Sequence, residues 1–272
     1  MMGERTDQPD AEGDRMSRLT ARRGFVLAWL AGFGLVSRAS WSAGQGSIDA
    51  AAAQDGWAVV LRNRVDAQGR VDFAALQRDP GPLEAYVAYL AATAPDSFTD
   101  RASRLAFLIN SYNALAMHHI LAFDIPTRLT LLGRARFFKF SKETVGGQRI
   151  SLYDYENDVI RPMGDARVHF ALNCMSVSCP RLPRQPFTAA SLDAELDAAA
   201  RSFFDERHNV TVDDAGRVLN LSAIMGFYTA DFLRHAPSLA AYVNRYRAAP
   251  VPTDYAVRFF DYDWTINRQP GT

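Results

Sequence analysis

The chain is 272 residues long, 48% apolar and 22% charged, with 30 basic side chains balanced by 30 acidic ones. That is enough chain for one sizeable core or two small ones, and the zero net charge, without a basic patch, argues against a nucleic-acid partner. Two cysteines and five scattered histidines do not reproduce the paired spacing of a zinc site, so neither a metal nor another cofactor is expected.

Residues 1–42 read as an N-terminal extension and export signal. Met1 to Asp14 is polar and acidic, with Met16 as an alternative start. Arg22 and Arg23 precede an apolar run from Gly24 to Val36, and small residues follow from Ser37 to Ser42. A basic region, a short apolar core and small residues make a secretory signal peptide, and the run is short for a membrane span. Thr20 to Leu27 resembles a twin-arginine signal; Sec export and an uncleaved anchor are the alternatives. The mature protein is therefore expected to be periplasmic or secreted, touching the membrane only through this leader. Residues 43–56, small and polar, read as a linker.

The main domain is expected over 57–267. Trp57 to Leu61 starts a short helix, and Leu83, Tyr86, Val87 and Leu90 form the apolar face of a second, with Pro82 in its first turn. Asp100 to Phe123 is the strongest helix, apolar around most of its circumference and so largely buried. It carries Asn110, Asn113, His118 and His119. Buried amides need partners, and either loop backbone or a pocket would supply them. Pro126 ends the helix, and Phe137, Phe138 and Phe140 are assigned to the core, with the rim of a cleft as the alternative. Val145 to Ile150 reads as a hairpin with a Gly-Gly turn. Ser151 caps a helix running to Ile160, which carries Glu156. Arg161 lies five residues on, a poor spacing for a helical pair. Each is expected to reach another element, Glu156 towards His169.

Arg167 to Pro180 holds both cysteines. Val168 to Leu172 reads as a buried strand ending in the Cys179-Pro180 turn, with His169, Ala171 and Asn173 on one face and Phe170, Leu172 and Cys174 on the other. Three readings of the cysteines stay open. They form a disulfide in an oxidising compartment. Or one is a thiolate activated by His169, with Cys179 favoured because it lies free in the loop. Or both pack as small hydrophobes.

Beyond the loop, Ser191 to Phe204 reads as a helix, Asn209 to Leu221 as a hairpin around Asp214-Ala-Gly216, Ser238 to Arg247 as a further helix and Asp254 to Asp261 as a last strand. Residues 268–272 read as a tail. The chain has no internal repeat, phosphate-binding loop or GxSxG elbow.

Several segments, in order, resemble the DUF547 family: Arg70-Val-Asp-Phe73, Leu105 to Leu115, Gly146-Gly147 with Ile150-Ser-Leu152, Tyr155-Glu-Asn157 with Ile160-Arg161, His169 to Cys174, Ser178-Cys-Pro180, Asp231-Phe232 and Tyr262-Asp-Trp264. The resemblance spans Trp57 to Asn267. It departs at Leu108, where tryptophan is usual, and at Asn157, where histidine is frequent. It implies an exported bacterial member of a domain family of unknown function. Members in reducing compartments often keep the Cys-Pro cysteine, which implies a thiol with a role rather than a staple. A buried helix against a small sheet with a Cys–His pair is similar in outline to papain-like and NlpC/P60-like hydrolases, an analogy of fold alone.

The expected fold is α+β: a single helix-rich domain with a small, mainly antiparallel sheet carrying Val168–Leu172. The leading functional expectation is a thiol hydrolase or transferase acting on peptide or amide bonds in the cell envelope. Cys179 is the nucleophile, His169 the base, and Glu156 or Asn110 orients the imidazole, with backbone N–H groups near Ser178 and Cys179 as an oxyanion hole. The rival is a non-catalytic binding module for a small-molecule or peptide ligand of the envelope. Asn110, Asn113, Glu156, Arg161 and Asp231 line its polar pocket and its cysteines are a structural disulfide; Asn173, Cys174 and Ser178 are further candidate binding residues.

Overall fold

The computed structural model describes residues 49–271, so the expected leader and the linker before Asp49 lie outside the described residues. Helix α1 (Ala50–Arg64) starts inside the stretch read as linker. The Asp49 carboxylate accepts from the N–H groups of Ala51 and Ala52, and four successive alanines favour helix over coil. Short α2 (Phe73–Arg78) and α3 (Gly81–Ala92) follow, and then α4 (Arg101–Ala122), capped by Asp100. Every α4 residue from Leu105 to Met117 is buried, as its all-round apolar pattern predicts. No helix among the described residues is long and apolar enough to cross a membrane.

Two small sheets complete an α+β fold. After α5 (Leu131–Ala135), strands β1 (Lys142–Val145) and β2 (Gln148–Ser151) form the expected hairpin. Its turn glycines both have positive φ, and their N–H groups donate to the Leu90 and Ala91 carbonyls at the end of α3. A Cβ on Gly146 would meet the Ala94 backbone at 2.5 Å, whereas one on Gly147 meets nothing within 4 Å. Gly146→Ala is therefore expected to cost about 2–3 kcal/mol and Gly147→Ala about 1 kcal/mol. Chemical denaturation of the two variants checks this, and equal losses would refute the steric account.

Helix α6 (Leu152–Asp154) runs into a π-helical turn at Tyr155–Ile160. Helix α7 (Leu192–Asp205) leads to β3 (Val210–Asp213) and β4 (Val218–Leu221), the second expected hairpin. Short helices α8 (Ala223–Phe227), α9 (Thr229–Leu233) and α10 (Leu239–Val243) precede β5 (Ala256–Phe259), which pairs with β4 in parallel. Residues read as a tail fold back, since Gln269 donates its N–H to the Val71 carbonyl.

Two expectations need correction. Phe140 is not core: Phe137 is buried, but Phe140 is 76% exposed, because the π-helical turn at Arg136–Phe140 rotates it outward. Val168–Leu172 is not a strand and belongs to neither sheet. Residues Ala166–Phe170 form a 3-10 helix capped by Asp165. Successive side chains in such a helix point about 120° apart. Val168 accordingly enters the core around α4, Phe170 enters a second core with Phe203, Phe204 and Phe232, and His169 takes the third direction.

Candidate active site

The loop after this 3-10 helix is folded by amides. Asn113 on α4 donates to the Ala171 carbonyl and accepts from the Asn173 N–H. Asn173 accepts from the Met175 N–H and donates to the Pro180 carbonyl, so it closes the loop on itself. Both amides hold the loop, the structural role weighed for Asn113. The loop's outer edge is stitched to the C-terminal segment: Val177 and Ser178 donate their N–H groups to the Thr265 and Asp263 carbonyls, and Ser178 Oγ accepts from the Asp263 N–H.

Folded this way, the loop sets the two thiols against each other. Both cysteines are free and buried, with their sulfurs 2.8 Å apart. The disulfide expected under the binding-module reading is not formed. Cys179 Sγ accepts from the Cys174 N–H at 3.0 Å and lies 3.1 Å from the Tyr262 hydroxyl and 3.4 Å from Ser176 Oγ. Burial raises a thiol's pKa, but the Cys174 thiol, Ser176 and Tyr262 together outweigh it and bring Cys179 down to about 6. Cys174 moves the opposite way, since burial and the neighbouring sulfur push its thiol well above the ordinary range. Burial and the two sulfurs also push the Tyr262 phenol up, so it stays a donor.

His169 is buried, and its Nε2 lies 2.8 Å from Asp231 Oδ2. Its ring stacks on Tyr228 with centroids 3.8 Å apart. Asp231 is itself buried and takes a two-point contact from Arg161, 2.7 Å from Nε and 3.0 Å from Nη2, and a second cation, Arg234, at 2.9 Å. Burial alone would raise this carboxyl; the bonds from His169 and Arg161 hold it far below the usual range.

The partner of the imidazole is therefore Asp231, not Glu156 or Asn110. Glu156 accepts from the Tyr112 hydroxyl at 3.1 Å. Asn110 binds the Phe187 backbone and the Trp57 indole, on a different groove. The expected oxyanion hole is not formed by loop N–H groups either: those of Ser178 and Cys179 are spent on the Asp263 and Ser176 carbonyls.

Cys174, Cys179, His169, Glu156, Tyr112 and Tyr262 all face one small cavity of about 70 Å³. No direct hydrogen bond joins Cys179 to His169. Phe138, Phe227 and Trp264 separate this cavity from an outer cleft of about 580 Å³, whose wall includes Arg134, Lys139, Arg161 and Tyr153. Glu156, on the π-helical turn, reaches both spaces. Such turns recur at functional sites. Among the described residues no group of three or more His, Cys, Asp or Glu side chains is placed to hold a metal ion.

Sequence reasoning missed Tyr112, Ser176, Tyr228 and the contact of Tyr262 with the thiols. Tyr112 and Tyr262 each carried a signal as part of a motif, whereas Ser176 and Tyr228 did not.

Neither a curated protein nor a solved structure matches the chain. One family model does, and the segment it covers holds Glu156, Arg161, His169 and both cysteines, while Tyr228, Asp231 and Tyr262 lie beyond it. Over residues 95–204 the chain is similar to the family described as "Protein of unknown function, DUF547".

Proposed function

We propose that the chain is an exported thiol hydrolase or transferase that acts on peptide or amide bonds in the cell envelope, with Cys179 as nucleophile. The observation that carries this reading is the set of donors gathered on Cys179 Sγ, which favours the thiolate near neutral pH. It lies in a cavity that also holds a carboxylate-bound imidazole. The thiolate attacks the carbonyl carbon and forms a carbon–sulfur bond. The carbon–nitrogen bond breaks, and protonated His169 gives the amine the proton it leaves with. Water, or an acceptor amine in a transferase, loses a proton to His169 and attacks the thioester, which restores the thiolate. Hydrogen bonds, rather than His169, prepare the thiolate, so the imidazole is left to act on the substrate. Asp231 holds Nε2–H and leaves Nδ1 to take and give protons. The cavity has room for only a few water molecules. Substrate entry in this reading requires Phe138, Phe227 and Trp264 to swing aside.

The test is alkylation of the reduced protein across pH, mapped by mass spectrometry. Cys179 is expected to react with a midpoint near 6, against about 8.5 for an ordinary thiol. Cys174 stays silent, and Tyr262→Phe moves the Cys179 midpoint upward. A Cys179 midpoint at or above the ordinary value would sink the proposal. The binding-module reading keeps one observation in its favour: the outer cleft is large enough for a small ligand and presents Arg134, Lys139 and Arg161 to it. Two inert thiols would leave that reading standing.

A further inference from the structure

The segment Ile125–Lys142 contains Arg128, Arg134, Arg136, Lys139 and Lys142 and no acidic residue, in a chain whose net charge is zero. It holds both lysines of the sequence. None of the five cations forms an ion pair with a carboxylate among the described residues; Arg134, Arg136 and Lys139 instead lie over the rings of Trp264, Phe123 and Tyr153. The nearest acid on the C-terminal side, Glu143, is engaged by His118 and His119.

The same segment carries the three most exposed large apolar side chains among the described residues: Leu132 at 82%, Phe140 at 76% and Leu131 at 73%. Two further exposed rings, Phe227 and Tyr153, line the outer cleft together with Leu131. The three most exposed apolar side chains thus share one short segment with five cations, and Leu131, Arg134 and Lys139 of that segment line the outer cleft. An exposed patch of this kind marks an interaction site. Apolar side chains beside unpaired Arg and Lys match a lipid surface, where the acyl boundary takes the former and anionic headgroups the latter.

We propose that Leu131, Leu132 and Phe140, with Arg128, Arg136 and Lys142, form a docking face for an anionic lipid surface, which sets the mouth of the outer cleft against the membrane. This adds a second membrane contact to the one expected from the leader, and it stands on the surface alone, whatever the thiols do.

Hydrogen exchange of the full chain, read by mass spectrometry, tests it locally. Vesicles of phosphatidylglycerol are expected to slow exchange across 128–142, and phosphatidylcholine vesicles are not. The combined variant Leu131→Ser, Leu132→Ser and Phe140→Ser is expected to weaken vesicle binding through this face roughly tenfold or more. These side chains are exposed, so the variant keeps its fold. Arg128→Gln with Lys142→Gln leaves the apolar residues intact and is expected to weaken binding about tenfold at low salt. Protection confined to residues before Asp49, or unchanged in both variants, overturns the proposal. Protection of 128–142 that rises with protein concentration without lipid also overturns it, in favour of a second copy of the chain.

Discussion

Asp231→Ala is expected to lower stability by about 3 kcal/mol at neutral pH, and the thermal midpoint by roughly 6–12 °C for a domain of this size. The carboxylate is buried between His169, Arg161 and Arg234, and its removal leaves a buried imidazole and a guanidinium without their acceptor. Loss of one partner of a buried pair costs about 3–5 kcal/mol. The low end applies because Arg161 and Arg234 reach solvent, where their share is screened. The pH dependence has a fixed sign. The folded-state pKa is depressed, so the contribution is present above the unfolded carboxyl value of about 3.9 and is lost as pH falls towards the folded value. The gap between wild type and Asp231→Asn should therefore be wide at pH 7 and smaller by pH 3, with most of the loss coming only as pH falls further towards the folded value. Circular dichroism melts at both pH values decide it, and a variant that melts with wild type at pH 7 would remove Asp231 from its role. The Cys179 alkylation midpoint should not move in this variant, because the donors on that sulfur are other groups.

Phe170→Ala has the other large effect, a loss of about 3–5 kcal/mol. The Phe170 ring packs against Phe203 and Phe204 at 4.8 Å between centroids and against Phe232 at 5.6 Å, fully inside the second core. Truncation leaves a cavity that four aromatic neighbours cannot collapse into. The residue also anchors one side of the short helix that aims His169. Phe170→Leu should cost less than half as much. Urea denaturation with an unchanged slope measures both, and a loss below 1 kcal/mol for the alanine variant would refute the packing account.

Helix α4 was legible because Leu105, Leu108, Ile109, Tyr112, Leu115, Met117, Ile120 and Leu121 cover most of its circumference, and both hairpins were legible because Gly-Gly and Asp-Ala-Gly demand turns. Val168–Leu172 was not. A five-residue run with four apolar members fits a strand and a 3-10 turn equally, and the choice was made by two separate cores pulling Val168 and Phe170 apart. The thiol, the imidazole and the loop amides could be named as candidates from residue type alone. Their partners could not. Asp231 reaches His169 across 62 residues, and Tyr262 reaches Cys179 across 83, and no periodicity links positions so distant. Asn110 misled because residue type does not name a partner: it lies one turn before Asn113, yet it binds Phe187 and Trp57 while Asn113 binds the cysteine loop.

The stitching of the cysteine loop to residues 263–267 has a consequence for order in time. A chain is made from its N-terminus, so both cysteines emerge long before Tyr228, Asp231 and Tyr262. Until those arrive, Cys179 lacks the phenol that steadies its anion and His169 lacks its carboxylate. A nascent chain thus carries two ordinary thiols, and sulfur reactivity is acquired only when the C-terminal segment 263–267 closes over the loop.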